Sequence, residues 1–301
     1  MKASALACLI SLAISPCVRA EDAPPDKAEI IAKIQQLADS LKYQDGEVTL
    51  RGGLAKLTLP PDFRYLGPDD SATVLERIWG NPHAGKKPLG MLVPAKVSVA
   101  SPGGWAVVIS YEEDGCVKDD DAGKINYDDL LQQMRKGVAA ENEERVKEGF
   151  PRVELIGWAA PPRYDSAEKK MYWAKEIGFG DSEEHTLNYN IRVLGRRGVL
   201  VLNAVSAMSQ LHDIEALSPT LLAAVNFQDG NRYADFKPGT DKVATYGLAA
   251  LVAGGVLAKA GGFKVIIAAI LAAKKFVIIG LVAISGFIKK LFGGKSRPPE
   301  Q

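Results

Sequence analysis

The residues best suited to chemistry in this 301-residue chain are an acidic cluster and three scattered histidines. They are Glu112, Glu113, Asp114, Asp119, Asp120 and Asp121, with His83, His185 and His212. Carboxylates and imidazoles act as general acids and bases in hydrolysis, and grouped carboxylates also bind Ca²⁺. An EF-hand loop begun at Asp119 fails, because Lys124 and Leu130 stand where that loop needs glycine and glutamate. We interpret the cluster as a solvated acidic turn, with a cation site or a hydrolase as the alternatives.

The sequence lacks the common motifs for metals and cofactors. The histidines do not have the His-x-x-x-His spacing of a zinc site, and no Cys-x-x-Cys pair is present. No Gly-x-Ser-x-Gly nucleophile elbow occurs either. Gly178-Phe179-Gly180 lies in a predicted hairpin rather than before a helix, so it does not predict a dinucleotide loop. We expect no metal and no cofactor, and the sequence assigns no catalytic residue.

The N-terminus has the features of a secretory signal peptide. Lys2 precedes an uncharged run, and Val18-Arg19-Ala20 places small residues where signal peptidase cuts. We therefore predict a signal peptide over residues 1–20. Its removal takes away Cys8 and Cys17, so the mature chain keeps Cys116 alone and cannot form an internal disulfide. Cys116 follows acidic residues that disfavour a thiolate, which indicates a bystander thiol.

Charge divides the rest of the chain into an acidic body and a basic tail. Residues 21–241 carry 26 basic and 35 acidic side chains, whereas residues 242–301 carry nine basic side chains and one acidic one. The near-neutral total of +1 argues against a uniformly basic nucleic-acid binder. We predict a periplasmic domain over 21–227, a linker over 228–242, a membrane anchor over 243–292 and a cytoplasmic tail over 293–301.

The body is predicted to be α+β, with a mainly antiparallel sheet and helices packed on it. Runs of neighbouring strands between helices favour this class. Asn126 before Tyr127 predicts a capped helix that ends near Lys147. Strands are predicted at 47–50, 54–59, 89–93, 105–111, 152–158, 170–177, 186–194 and 198–207, and further helices begin at Asp26 and cover 71–79 and 211–225.

The first part of the tail is predicted to cross the membrane. Val243–Phe263 is apolar apart from Lys259, which lies near one end, and about 20 such residues cross a bilayer. Small residues recur at every fourth position and would allow close packing of a second helix. They are Ala250, Gly254, Ala258 and Gly262.

The second part of the tail, Lys264–Lys290, has the pattern of a basic amphipathic helix. Its lysines fall on one side and are expected to contact anionic lipid headgroups. They are Lys264, Lys274, Lys275, Lys289 and Lys290. The alternative is a second membrane span whose lysines line an oligomer, which would bury charge in the bilayer. Cytoplasmic lysines place the protein in the bacterial inner membrane with its main domain in the periplasm.

Three segments carry a family resemblance. Gly52-Gly53-Leu54-Ala55, Trp79-Gly80-Asn81-Pro82 and residues 227–248 resemble a bacterial family of membrane-anchored proteins that is catalogued as a domain of unknown function. The resemblance implies an exported domain with a C-terminal anchor and implies no activity. The order of strands and helices also resembles, loosely, the α+β fold of the PsbP and Mog1 proteins.

These observations favour an envelope protein that acts as a non-catalytic interaction or structural module. Its expected partners are anionic lipids, another envelope protein or a second copy of the chain through the membrane helix, and no nucleic acid. The alternatives are an envelope hydrolase that uses Asp, Glu or His from separate strands, and a lysine-lined oligomeric membrane assembly.

The single-span topology predicts the location of the C-terminus. Green fluorescent protein fused after Gln301 should stay in the cytoplasm and fluoresce, as it does not do after export by the Sec route. Alkaline phosphatase at the same point should be inactive, because a basic tail resists translocation. Strong phosphatase activity would instead identify Val265–Ile288 as a second crossing.

Overall fold

The computed structural model describes residues 27–81, 86–101, 103–147 and 150–254. The predicted signal peptide, His83, the tail beyond Gly254 and all five lipid-facing lysines lie outside these residues. The helices are α1 (Lys27–Asp39), α2 (Pro68–Thr73), α3 (Tyr127–Lys147), α4 (Leu211–Ala224) and α5 (Leu248–Ala253). The strands are β1 (Tyr43–Gln44), β2 (Glu47–Leu50), β3 (Ala55–Thr58), β4 (Phe63–Leu66), β5 (Gly90–Pro94), β6 (Ala106–Glu112), β7 (Val153–Asp165), β8 (Lys170–Phe179), β9 (Thr186–Leu194), β10 (Val199–Ala207) and β11 (Val225–Phe227).

Two antiparallel sheets form the framework. The larger has eight strands in the order β1-β4-β5-β6-β10-β9-β8-β7, and the smaller has three in the order β11-β3-β2. All strand pairs of both sheets are antiparallel. The predicted α+β class with a large antiparallel sheet and packed helices is therefore confirmed.

Local sequence signals account for several of these elements. The side chain of Asn126 accepts hydrogen bonds from the backbone N–H groups of Asp128 and Asp129 at 3.1 and 3.2 Å, so it caps α3 as predicted. Strand β7 instead runs seven residues past the predicted end at Trp158 and includes Pro161 and Pro162. Because β7 is an edge strand, a proline there need not break a ladder hydrogen bond.

The large sheet is covered on both faces. On one face, Leu50 and Leu57 of the small sheet and Leu221 of α4 pack on apolar side chains such as Ile191 and Leu202. On the other face, α3 covers the β7–β8 end, α5 covers the starts of β8 and β10, and α1 and α2 lie with the β4–β5 end. All nine residues of β9 are buried as a result.

The beginning of the predicted membrane span is part of this domain. Val243 bridges to Cys116, and helix α5 starts only at Leu248 and ends at Gly254, whose φ of 119° is left-handed. Tyr246, Leu248 and Leu251 are buried against the sheet. Here the structure differs from an uninterrupted helix over Val243–Phe263, because this apolar stretch covers a sheet face that would otherwise be open to water. Among the described residues, no helix has both the length and the apolar character that a bilayer crossing requires.

Of the four small residues predicted to pack membrane helices, two are described. Ala250 is half-buried in α5 and lies against the core, and Gly254 caps the C-terminal end of that helix. Ala258 and Gly262 lie outside the described residues, so the helix-packing prediction stays a prediction.

The predicted linker 228–242 is also fastened to the domain. Asp241 forms a two-pronged ion pair with Arg196, at 2.6 Å from Nε and 2.9 Å from Nη2. Asp235 accepts hydrogen bonds from the backbone N–H groups of Gly230 and Arg232. The polar composition of this segment therefore serves specific contacts, rather than only solvation.

The acidic cluster holds the C-terminal segment in place. Asp121 accepts hydrogen bonds from the backbone N–H groups of Leu248 and Ala249, at 3.1 and 3.2 Å, at the start of α5. Asp114 accepts the hydroxyl of Tyr246 at 3.0 Å. The interpretation as a solvated turn is therefore wrong for these residues, whose partners lie about 130 positions further along the chain.

Asp119 has the densest set of contacts in the cluster. Its carboxylate accepts the hydroxyls of Tyr164 and Tyr233 at 2.7 and 3.0 Å and pairs with Lys169 at 2.8 Å. Burial raises the pKa of Asp119, but the hydrogen bonds from Lys169 and the two tyrosines outweigh burial and lower the pKa to about 2. The charged carboxylate thus stabilises the fold at neutral pH.

Removing the charge of Asp119 should weaken the fold in a pH-dependent way. We expect Asp119→Asn to lower the free energy of unfolding of the full chain at pH 7 by about 1–2 kcal/mol, after allowance for solvent screening. Since the folded pKa is depressed, this contribution is complete above pH ~4 and disappears as the pH falls towards 2. Urea unfolding at pH 7 and pH 3 measures both effects.

Asp120→Asn is the matched control, because Asp120 is exposed beside Asp119. It should change the free energy of unfolding by less than about 0.5 kcal/mol. Equal losses in the two variants would contradict a specific role for Asp119.

Candidate functional site

Among the described residues, the acids and histidines of the hydrolase hypothesis do not converge. His185 Nδ1 lies 2.6 Å from Glu176 Oε1, beside the first residue of β9. The acidic cluster begins at Glu112, the last residue of β6. Glu112 pairs with Val199 of β10, which in turn pairs with Leu194 at the other end of β9. Nine residues of strand put roughly 25 Å between the two places, and His212 lies on the surface in α4.

The described residues also do not group the usual metal ligands. Within them, no three His, Cys, Asp or Glu side chains are placed to hold a metal ion. Cys116 is a free, buried thiol. Burial raises the pKa of Cys116, and Asp119 and Asp241 raise it further against the effect of Lys118. A thiol held protonated in this way is a poor nucleophile.

A cleft of about 800 Å³ lies between the β7–β9 end of the large sheet and helix α4. Its apolar lining comes from small, proline and leucine side chains, and charged and tyrosine side chains complete the walls. The residues are Ala159, Ala160, Pro161, Arg163, Asp165, Glu168, Lys170, Tyr172, Tyr189, Glu215, Ser218, Pro219, Leu222 and Ala223. A cleft of this size with both apolar and charged lining residues suits a small molecule or a short peptide.

Two polar contacts fix α4 over the cleft. Lys170 Nζ donates to the carbonyl oxygen of Leu222 at 2.7 Å and to Asn226 Oδ1 at 3.2 Å. A cation here satisfies the last carbonyls of α4 and opposes the negative end of its dipole. The hydroxyls of Tyr189 and Ser218 lie 2.7 Å apart in the interior. These contacts therefore fix the position of α4 beside the cleft.

Pro219 lines the cleft and interrupts the backbone hydrogen bonding of α4. It lies inside the helix and has no N–H to donate to the carbonyl of Glu215 four residues earlier. The Glu215 carbonyl therefore lacks its usual helical donor, and the exposed Glu215 side chain also lines the cleft.

Opposite charges converge on the Tyr189 hydroxyl from the two walls. Burial raises the pKa of Tyr189; Glu215 raises it further, and Arg163 lowers it. Glu215 belongs to α4 and Arg163 to β7. In the described part of the chain these two side chains form no ion pair with each other or with another residue. A ligand with one group of each sign could bridge them.

Sequence reasoning did not find this cleft. Arg163, Tyr189 and Glu215 come from three separate elements and form no motif. The available signals were two proline steps, Pro161-Pro162 in a strand and Ser218-Pro219 in a helix, which interrupt regular backbone hydrogen bonding where a cavity can form.

The sequence matches the family described as Protein of unknown function (DUF2167) over residues 42–285. The chain belongs to this family. The family suspected from the three sequence segments is thus confirmed. The match begins just before β1 and continues past α5, so it includes both the sheet and the segment attached to the acidic cluster.

Several solved structures resemble this DUF2167 protein distantly. They include cyanobacterial PsbP from Synechocystis sp. PCC 6803 (11% identity, TM-score 0.35, 60% of this chain and 91% of that one). The Ran-binding protein Mog1p of Saccharomyces cerevisiae has 12% identity and a TM-score of 0.34 over 66% and 100% of the chains. LpqN of Mycobacterium tuberculosis, a protein involved in cell envelope biogenesis, has 12% identity and a TM-score of 0.30 over 65% and 96%. No curated protein matches the sequence significantly, and likenesses this distant assign no function.

The contact between Lys170 and α4 predicts how the cleft keeps its shape. Lys170→Met should lower the free energy of unfolding of the full chain by about 1–3 kcal/mol, because the Leu222 carbonyl and Asn226 lose a buried charged donor. Thermal and urea unfolding measure this loss. Lys136→Met, at an exposed position of α3, is the control. A similar loss of stability in that variant would contradict a specific role for Lys170.

Proposed function

We propose that this protein is a binding module of the bacterial envelope rather than an enzyme. The signal peptide would export it, the part of the C-terminal segment 243–292 that follows α5 would hold it at the inner membrane, and the lysines of the tail would contact anionic lipids. The periplasmic α+β domain would then present its cleft to other envelope components. A binding role is favoured over hydrolysis because, among the described candidates, the acidic cluster and His185 lie at opposite ends of β9.

The cleft beside α4 is the observation that supports this role most directly. It combines apolar lining residues with opposite charges from two elements, Arg163 on β7 and Glu215 on α4. A short peptide segment of another envelope protein fits this arrangement, since its apolar side chains would contact the apolar lining and its charged groups would pair with Arg163 and Glu215. Partners of this kind bind through a few buried contacts with a polar rim.

A random seven-residue peptide library panned against the full chain tests the proposal. Enriched peptides should carry an acidic and a basic group around apolar residues. Arg163→Glu should weaken their binding by about tenfold or more, because the acidic group then meets a like charge. Binding is measured by fluorescence anisotropy of labelled peptides.

Lys136→Glu is the matched control, as it reverses an exposed cation on α3, which packs on the other face of the sheet. It should bind the peptides as the unaltered chain does. If no peptide binds saturably, or if Arg163→Glu binds normally, the cleft is not a peptide site.

A further inference from the structure

A row of buried polar side chains crosses the opposite face of the sheet. Alternate residues of β9 contribute Asn188, Asn190 and Arg192, and neighbouring strands contribute Lys175 and Asn203. All are buried apart from Asn203, which is half-buried. Their alternation with apolar residues would normally indicate a strand with one solvated face, so their burial needs a physical explanation.

Arg192 is held firmly within this row. It donates to Asn203 Oδ1 at 3.1 Å and to Asn190 Oδ1 at 3.4 Å, and its guanidinium lies 5.0 Å from the centre of the Trp173 ring. Asn190 in turn donates to the Asn188 side chain at 2.8 Å. The amide oxygens near Arg192 are therefore already engaged with donors of the row.

Lys175 and Trp173 have no such partners. Lys175 is 5% exposed, and no acceptor in the described part of the chain binds its amine. The indole N–H of Trp173 is buried without a hydrogen-bond partner. In the strand register, the Trp173–Asn190 pair lies between the Lys175–Asn188 and Met171–Arg192 pairs. The unpartnered Lys175 amine and Trp173 indole thus lie on the same face of β8, and Trp173 is the neighbour of Arg192.

The electrostatics show the same imbalance. Burial, together with the smaller effect of the Arg192 charge, lowers the pKa of Lys175 to about 7. Burial also lowers the pKa of Arg192 to about 10, against the opposing effect of Glu112 on β6 and of Tyr246. By contrast Lys170, five positions earlier on β8, is equally buried but donates to a carbonyl and an amide oxygen.

We propose that Lys175 and Arg192 of the row, together with the neighbouring Trp173, bind an anionic group of a small ligand, either a carboxylate or a phosphate. Such a group is rich in acceptors and would satisfy the Lys175 amine and the Trp173 indole while lying beside the Arg192 guanidinium. Buried charges without a partner destabilise a fold, and proteins retain such positions where function requires them. The row lies on the other face of the sheet from the α4 cleft, so this site is independent of the proposed peptide binding.

Thermal unfolding of the full chain in inorganic phosphate or succinate, against chloride at equal ionic strength, tests this site. We expect at least one probe to raise the midpoint saturably, by about 5 °C near a hundredfold excess over its dissociation constant. A response to phosphate alone identifies a phosphate site, and a response to succinate alone identifies a carboxylate site.

Lys175→Met should abolish the response to the probe, and Lys136→Met, at an exposed position, should keep it. Lys175→Met is also expected to raise the midpoint without probe, because it removes an unpartnered buried amine. No saturable response in the unaltered chain, or an equal response in Lys175→Met, would overturn the proposal.

Labelling of the unaltered chain gives a second measurement that does not depend on a variant. Acetic anhydride should modify Lys175, and the active probe should protect it at least about fivefold while Lys136 reacts at the same rate. Mass spectrometry of peptides measures both. Labelling of Lys175 that is unaffected by the probe would contradict binding at this amine.

Discussion

Burial of both faces of strands β8, β9 and β10 is the constraint on which the other features depend. The small sheet and α4 cover one face, and α3 and the segment that includes α5 cover the other. Every side chain of β9 is consequently buried, whereas an antiparallel strand often has one wet face. Each polar group on these strands must therefore find a partner inside the protein or in a ligand.

The two buried lysines of β8 show the two outcomes of this constraint. Lys170 faces α4, where the last carbonyls of a helix offer acceptors, and its charge stabilises the packing of that helix. Lys175 faces the other way, towards a row whose amide oxygens already accept hydrogen bonds from Asn190 and Arg192. Nearly identical burial thus gives a structural role to one lysine and leaves the other available for recognition.

Much of the fold could be predicted from the sequence because its signals are local. The cap at Asn126 and the apolar strand predicted at 105–111 each depend on signals within a few residues, and the elements they predicted are present. The end of β7 could not be predicted, since prolines stop a strand unless it lies at an edge, and edges are a property of the whole sheet. The cleft and the polar row are harder still, as their residues meet through strand register and helix packing rather than spacing along the chain.

The stretch after Val243 shows why composition alone does not separate a membrane segment from a buried one. Apolar residues with few charges satisfy both a bilayer and a sheet face, and periodicity does not distinguish the two environments. Contacts with residues far away in sequence attach this stretch to the sheet. Asp121 accepts hydrogen bonds from the first N–H groups of α5, and Asp114 accepts one from the Tyr246 hydroxyl.

Attachment of this stretch brings the C-terminal segment next to the polar row. Burial raises the pKa of Tyr246, as do Asp114 and Glu112, while the charge of Arg192 lowers it, which shows that Tyr246 lies within electrostatic range of that guanidinium. The acidic cluster therefore does more than fix a loop. Through its contacts with Tyr246 and the start of α5, it positions this segment on the side of the row where Arg192 lies.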